Sequence, residues 1–278
     1  MPPRSFRRVL VANRSEIAIR VFRACTELGI RTLGVFSKED RAAFHRYKAD
    51  ETYPLDETLD PLKAYLDIPG ILAIARRHGA DAIHPGYGFL AENPDFARAC
   101  VEAGIAFVGP PPEVLELMGD KTAARKQAQR LGIPVVPGTD APVPDAESAL
   151  GRAEAIGYPV ILKASFGGGG RGMRVCRTPA ELRDAHAFAT REAAAAFGRG
   201  DVFLERYIEG PKHIEVQVLA DAHGHTIHLF DRDCSVQRRH QKVVEVAPSV
   251  SLQAETRRAL CDAAVRLASS VGYVNAGT

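Results

Sequence analysis

The chain has 278 residues, 46% of them apolar and 25% charged, with a formal net charge of +2. That is a globular composition with room for about two domains. Mixed charge signs leave no basic stripe for nucleic acid or an anionic membrane, and no run reaches the roughly 18 apolar residues of a membrane span. The leading MPPRSFRR lacks the apolar core of a secretory signal. The cysteines (Cys25, Cys100, Cys176, Cys234, Cys261) include no C-x-x-C pair, so they read as reduced, mostly buried thiols of a cytosolic protein rather than zinc ligands.

From residue 8 to 109, short apolar runs alternate with helical patterns. RRVLVAN reads as a strand, and SEIAIRVFRACTELG as a helix with Ile17, Val21, Cys25 and Leu28 on one face and Gly29 at its C-terminal cap. TLGVFS and ADETYPL follow as strands, IPGILAIARRHG as a helix, DAIHPG as a strand, NPDFARACVEAG as a helix and IAFVGP as a strand. This order predicts right-handed βαβ crossovers and an open parallel sheet, whose ligands bind beyond the carboxyl ends of the strands. HPGYGFLAEN, residues 84–93, stands at such an end. NRSE occupies the place of a G-x-G-x-x-G after the first strand, which argues against a dinucleotide site there.

PPPEVLELMGDKTAARKQAQRLG is a helical connector interrupted at Gly119, and IPVVPGTDAPVPD, with its four prolines, an extended hinge. A small α+β unit is expected over about 138–207. In it YPVILKAS is a strand, the glycine run a loop, MRVCR a strand, TPAELRDAHAFATREAAAAFG a helix with Thr178 as N-cap and Glu181 completing a capping box, and VFLERYI a strand. HIEVQVLAD, AHGH and TIHLFDRD form a hairpin. RDCSVQRRHQKVVEVAP follows as a polar, cation-rich stretch, LQAETRRALCDAAVRLASSVG as a helix, and GYVNAGT as the opening of a strand. No internal repeat or low-complexity segment interrupts this order.

KASFGGGGRGMRV poses the functional question. Gly167 to Gly172 match G-x-G-x-x-G literally, but the run precedes a strand instead of opening a helix, and no Lys-Ser or Lys-Thr follows as in a Walker A loop. A glycine loop between two strands reads as a flap whose bare N–H groups converge on phosphate oxygens, with Lys163 adding a point charge; a flexible hairpin tip is the plainer alternative. Beneath it, strand alternation sends His213, Glu215 and Gln217 to one side. QRRHQK adds Gln237, Arg238, Arg239, His240 and Lys242, either as a solvated surface run or as a site for a smaller anion beside the nucleotide.

Over essentially its whole length the sequence resembles the ATP-grasp biotin carboxylases. The residues that carry the resemblance are RRVLVANRSEIAIRVFRACTELGI, HPGYGFLAEN, MGDK, KASFGGGGRGMRV, RDCSVQRRHQKVVE and GYVNAGT. ACTELGIRT, HRYKADETY and VPGTDAP look most like the amino-terminal module of the pyruvate carboxylases, with acetyl-CoA and propionyl-CoA carboxylases as near competitors. The resemblance implies an α/β chain: an N-terminal, Rossmann-like pre-ATP-grasp domain over 1–120, a connector and lid subdomain over 121–207, and the first part of the ATP-grasp C-terminal subdomain over 208–278. It implies that Lys121 and Lys163 contact ATP phosphates, that Gly167, Gly168, Gly169, Gly170, Gly172 and Met173 belong to the lid, and that Glu205 and Ile208 hold the adenine. His213, Gln237 and His240 would line the sugar and phosphate side, with Glu215 organising the floor. Lys242, beside His240 and Arg239, would lie nearest bicarbonate, and Tyr87 would face biotin.

The implied reaction is ATP-dependent carboxylation of biotin through carboxyphosphate. Its cofactors are ATP, magnesium or manganese, and a biotin borne on a carrier domain elsewhere in a larger carboxylase. The N-terminal domain could support a homodimer. Two departures stand out: Ser15 replaces the glycine of the family's ANRGEI, and Arg206 replaces the lysine after the hinge glutamate. The metal-binding and catalytic glutamates, with further arginines, are expected beyond Thr278, so this stretch alone is expected to be inactive or nearly so. A non-catalytic nucleotide-binding or assembly module, or another ATP-grasp ligase, would be the rival reading. QRRHQK and HPGYGFLAEN argue against the latter.

Overall fold

The computed structural model describes residues 5–165, 173–238 and 241–278. The chain divides into two compact units, Met1–Glu116 and Leu117–Thr278. In the first, the strands are β1 (Arg8–Val11), β2 (Arg31–Phe36), β3 (Glu51–Pro54), β4 (Ala82–His84) and β5 (Ala106–Phe107). They pair in parallel in the order β3-β2-β1-β4-β5. The helices are α1 (Ser15–Glu27), α2 (Pro61–Ala64), α3 (Ile68–Arg77), α4 (Pro94–Glu102) and α5 (Pro112–Gly119), the last running across the boundary between the units. Strand alternation explains the two-sided core. Leu10, Leu33, Val35 and Ile83 pack with Ile71, Ala75, Phe96 and Cys100 from α3 and α4. Val9, Val11 and Ala82 point the other way, against Ala18, Val21, Phe22 and Cys25 of α1. The face expected for α1 is thus rotated: Val21 and Cys25 are buried, but Leu28, the residue after the helix, is 74% exposed.

The strand order reverses between β1 and β4, and a crevice opens beyond their carboxyl ends. Asn13, buried just past β1, donates from Nδ2 to the carbonyls of Pro85 (2.7 Å) and Tyr87 (2.8 Å). Gly86 lies over it with φ +67°, and a Cβ there would come within 2.6 Å of Asn13 Nδ2. Ser15, where the family resemblance expects glycine, takes a left-handed φ of 58°. The backbone thus keeps the glycine-type turn although the residue has a side chain.

In the second unit, α6 (Lys121–Arg130) and α7 (Ala146–Ile156) precede β6 (Val160–Ala164), β7 (Arg174–Cys176), α8 (Pro179–Phe197) and β8 (Val202–Arg206). The strands form an antiparallel sheet ordered β7-β6-β8. Val160, Leu162, Val202 and Leu204 bury one face against Ala149 and Ala153 of α7 and Leu182, Ala189 and Ala193 of α8. Helix α7 is not anticipated from the sequence, because its buried stripe is little more than two alanines. Asp145 starts it by accepting from Ser148 N at 2.7 Å. Thr178 does cap α8, but the Glu181 carboxylate reaches Arg177 N instead of the cap residue itself.

The remaining elements are β9 (Ile214–Ala220), β10 (Thr226–Arg238), β11 (Gln241–Val246), α9 (Ala254–Ser270) and β12 (Asn275–Gly277), with sheet order β11-β10-β9-β12. The stretch expected to be merely polar and cation-rich is therefore sheet: β10 runs on through Arg238 and pairs with β11. Register shifts at Asp233, Val236 and Gln237 break the simple alternation that a sequence reading relies on. Asp231, 1% exposed, ties β10 to α9 through Arg257 Nε at 2.7 Å and accepts from Ser249 N at 2.8 Å. No described helix is long and apolar enough to cross a membrane.

The crevice of the first unit gives a direct test. Gly86→Ala should destabilise that unit by about 1–3 kcal/mol, the range for a side chain forced into a left-handed conformation. Loss of hydrogen-exchange protection at β1 and β4 amides is the readout; wild-type protection in the variant would refute this account of the loop.

Candidate nucleotide and bicarbonate site

Alternation along β6 and β8 places Lys163 and Glu205 on the face opposite the α7–α8 core. In the antiparallel register Lys163 pairs with Phe203 and Ile161 with Glu205, so the lysine and the carboxylate are diagonal neighbours. Lys163 Nζ donates to Glu205 Oε2 at 2.5 Å. The other carboxylate oxygen faces Arg125 Nη1 of α6 at 3.4 Å. Arg125 lies one helical turn from Lys121, and that i, i+4 spacing is the sequence signal that could have found it.

The MGDK segment has a local logic. Asp120 caps α6, accepting from Thr122 N (2.8 Å) and Ala123 N (3.2 Å). This sets Lys121 in the first turn, where its backbone N–H donates to the Ser165 carbonyl and its Nζ to the Ala164 carbonyl, each at 3.3 Å. Both lysines expected to meet phosphate thus stand at the end of β6, where the glycine run begins. Gly167, Gly168, Gly169, Gly170 and Gly172 lie outside the described residues, as do Arg239 and His240. Met173, just before β7, is half-buried, and Ile208, past the end of β8, is 49% exposed. Arg206 Nη1 donates to the Ile156 carbonyl at 3.0 Å, binding β8 to the end of α7.

A second cluster sits on the four-stranded sheet. Glu215 Oε1 accepts from Arg232 Nε (2.8 Å) and Nη2 (2.6 Å), while Oε2 takes Lys242 Nζ across from β11. Arg232 also donates from Nη1 to Gln217 Oε1 at 2.9 Å, and its Nε lies 3.4 Å from Glu245. Arg232, missed in the sequence reading, is the direct cross-strand partner of Glu215, so extending the alternation across the hairpin would have indicated it. Burial pushes the Glu215 carboxyl up, but the bonds from Lys242 and Arg232 outweigh this and hold it below the usual carboxylate range. For Lys242 burial acts downward, and the Glu215 carboxylate reverses it to a net rise. His213 Nδ1 lies 2.9 Å from the Gln237 amide, which also donates to the Cys234 carbonyl.

Glu215, Cys234 and Glu245 present ligand atoms within 4.8 Å of one another. The trio does not suit magnesium. Glu215 is already bridged to two cations, and the thiol, buried and raised above its ordinary value chiefly by desolvation, is a soft donor. The five cysteines are all free and buried.

In the first unit, Tyr87 is 62% exposed and its hydroxyl donates to Glu16. That bond holds Glu16 below its usual range and Tyr87 above its own. Asn13, Arg14, Glu16, Tyr87 and Phe89 line a shallow cavity of about 310 Å³ beyond the strand ends. Arg14 is held by Asp40 at 3.2 Å and lies over the rings of Tyr65 and Phe89.

Comparison with known proteins follows the same division. Residues 5–115 match the family described as biotin carboxylase, N-terminal domain. Residues 120–278 match the one described as carbamoyl-phosphate synthase L chain, ATP binding domain. Pyruvate carboxylase of Bacillus subtilis (strain 168) is 59% identical over 278 residues, which are 100% of this chain and 24% of that protein. The chain therefore spans about a quarter of the length of such relatives. Among solved structures, the biotin carboxylase domain dimer of Hydrogenobacter thermophilus 2-oxoglutarate carboxylase, in complex with MgADP, ADP and bicarbonate, is 52% identical, with a TM-score of 0.95 over 98% of this chain and 60% of that one. A biotin carboxylase–beta-gamma-ATP complex from Campylobacter jejuni also gives a TM-score of 0.95, at 45% identity over 98% of this chain and 61% of that one. With a parallel N-terminal sheet unit leading into an ATP-binding unit, the chain belongs to the biotin carboxylase family.

Proposed function

We propose that the chain is the ATP- and bicarbonate-handling part of a pyruvate carboxylase-type enzyme, carboxylating biotin in the first half-reaction. The observation that carries this reading is its superposition, over 98% of its length, on a biotin carboxylase domain holding MgADP and bicarbonate. In this reading bicarbonate oxygen attacks the γ-phosphorus of ATP, the bond to the β-phosphate oxygen breaks, and ADP leaves carboxyphosphate behind. The C–O bond of carboxyphosphate then breaks, its carboxyl carbon joins a ureido nitrogen of biotin, and inorganic phosphate leaves carrying the proton which that nitrogen gives up.

Each residue contributes by charge and position. Lys121 and Lys163 neutralise phosphate oxygens, while the glycine run and Met173 cover them and keep water from a labile intermediate. Glu205 and Ile208 receive the adenine. His213, Gln237 and His240 line the sugar and phosphates. Lys242, with Arg239 nearby in sequence, holds bicarbonate against the repulsion of the triphosphate, its Nζ kept at the strand surface by Glu215. Tyr87 faces biotin. Magnesium, when bound, spreads the phosphate charge; Glu205 and Glu215 are committed to lysine and arginine and are not assigned to it. The division into 1–120, 121–207 and 208–278, a carrier domain bringing biotin, dimer contacts through the first unit and a cytoplasmic location complete the proposal.

The reading is tested in the chain carried at the full length of its pyruvate carboxylase relatives. Lys242→Gln should lower bicarbonate-dependent ADP formation with free biotin by about 10²–10³-fold, the scale for losing one group that stabilises developing charge. MgATP affinity should change little. Turnover near wild type would contradict the bicarbonate role, and nucleotide binding without any turnover in the unaltered enzyme would favour a non-catalytic module.

The depressed Glu215 value also sets a pH dependence. Because the folded group titrates below the ordinary 4.5, its contribution to stability is complete above that pH and is lost as pH falls through the folded value. Glu215→Gln should therefore be less stable at neutral pH and lose less stability on acidification to about pH 4. Thermal unfolding at the two pH values measures this; parallel acid losses in both proteins would contradict the assignment.

A further inference from the structure

Arg125 has no role in the reading above, yet its side chain is only 6% exposed and faces the Glu205 carboxylate. Its guanidinium is under-partnered. Nη1 lies 3.4 Å from Glu205 Oε1, and Nε has no hydrogen-bond acceptor among the described residues, with Asp140 Oδ1 standing off at 3.6 Å. Lys163 occupies the other Glu205 oxygen at 2.5 Å. One largely buried carboxylate thus serves two cations, one on each oxygen.

The two cations differ in kind. Lysine is a point charge on a flexible stem, whereas arginine is a fixed fork that stays protonated. If Lys163 turned toward an arriving polyphosphate, a Glu205 paired with it alone would be left as a buried, unpaired charge, which is costly. Arg125 removes that obstacle because its hold on Oε1 survives the departure of the lysine. We infer that Arg125 is a positioning residue that retains Glu205 and so releases Lys163 to the phosphates of a nucleoside di- or triphosphate. The inference rests on the nucleotide reading of this site and adds to it a residue and a handover.

The test is calorimetric titration of ATP, ADP and adenosine into this chain, the Arg125→Gln and Arg125→Lys variants, and the double variant Arg125→Gln with Glu205→Gln. Arg125→Gln should weaken ATP and ADP by about tenfold while adenosine stays within about twofold, as expected for a local coupling between charges. Arg125→Lys, which keeps the charge and loses the fork, should shift the ATP-to-adenosine ratio less in the same direction, and it serves if Arg125→Gln does not fold. The double variant should restore that ratio, since no carboxylate remains to detain Lys163. Equal losses for all three ligands, or none, would overturn the inference and leave Arg125 a packing residue. If the unaltered chain takes up none of the ligands, the nucleotide reading fails by itself, and the sharing of Glu205 is judged without ligand. Acylation of Lys163 by an amine-directed reagent, followed by mass spectrometry, should slow in Arg125→Gln and quicken in Glu205→Gln; equal rates in all proteins would reject it.

Discussion

A lysine that waits for an anion has to be held by something else until the anion comes. In the second unit a carboxylate holds a lysine on each sheet, and under the proposed function both lysines await an anion: Glu205 holds Lys163, and Glu215 holds Lys242. Both carboxylates carry an arginine as well, Arg125 in one case and Arg232 in the other. Uncompensated cations would repel one another and draw in solvent or stray anions, whereas a carboxylate paired with arginine keeps its place whichever way the lysine turns. The surrounding fold serves this arrangement. The α7–α8 core fixes one face of the first sheet so that Lys163 and Glu205 share the other, and the Asp231–Arg257 bridge ties the bulged strand β10 to α9.

The first unit solves a different problem, presenting a loop at the point where its sheet reverses direction. Asn13 is buried and spends its amide on two loop carbonyls, His84 Nδ1 accepts from Gly86 N at 2.9 Å, and Tyr87 projects beyond the strand ends to meet Glu16. Burial pushes His84 below its ordinary value, which suits an acceptor nitrogen. The left-handed turn at Ser15 shows that the backbone path here is imposed by its surroundings, since the residue itself does not prefer it.

Most of the fold could be read from residue order. The alternation of strands and helices over 8–109 appears as the five-stranded parallel sheet, and Gly29, Gly79 and Gly104 end helices with positive φ. Helix α7 and the strands over 232–246 escaped for physical reasons. Helix α7 buries little besides Ala149 and Ala153, so hydrophobic periodicity hardly marks it, and its Asp145 cap is hidden in a proline-rich stretch. The strand character of 232–246 was masked by charge: one face of β10 and β11 carries Arg232, Lys242 and Glu245, and bulges disturb the period of two. At the site, the charged residues could be picked out by type and motif. The pairing of Lys163, Glu205 and Arg125 could not, because it depends on the diagonal register of β6 and β8 and on the approach of α6. Arg125 and Arg232 carry only weak sequence signals, a position one helical turn from Lys121 and one across the hairpin from Glu215.

The account stands on Lys163 being a borrowed partner of Glu205. A crystal structure of this chain with MgADP bound examines that directly. The account predicts Lys163 Nζ turned onto a phosphate oxygen while Glu205 remains against Arg125. A nucleotide bound away from the end of β6, or one seated there with Lys163 still on Glu205, would contradict it.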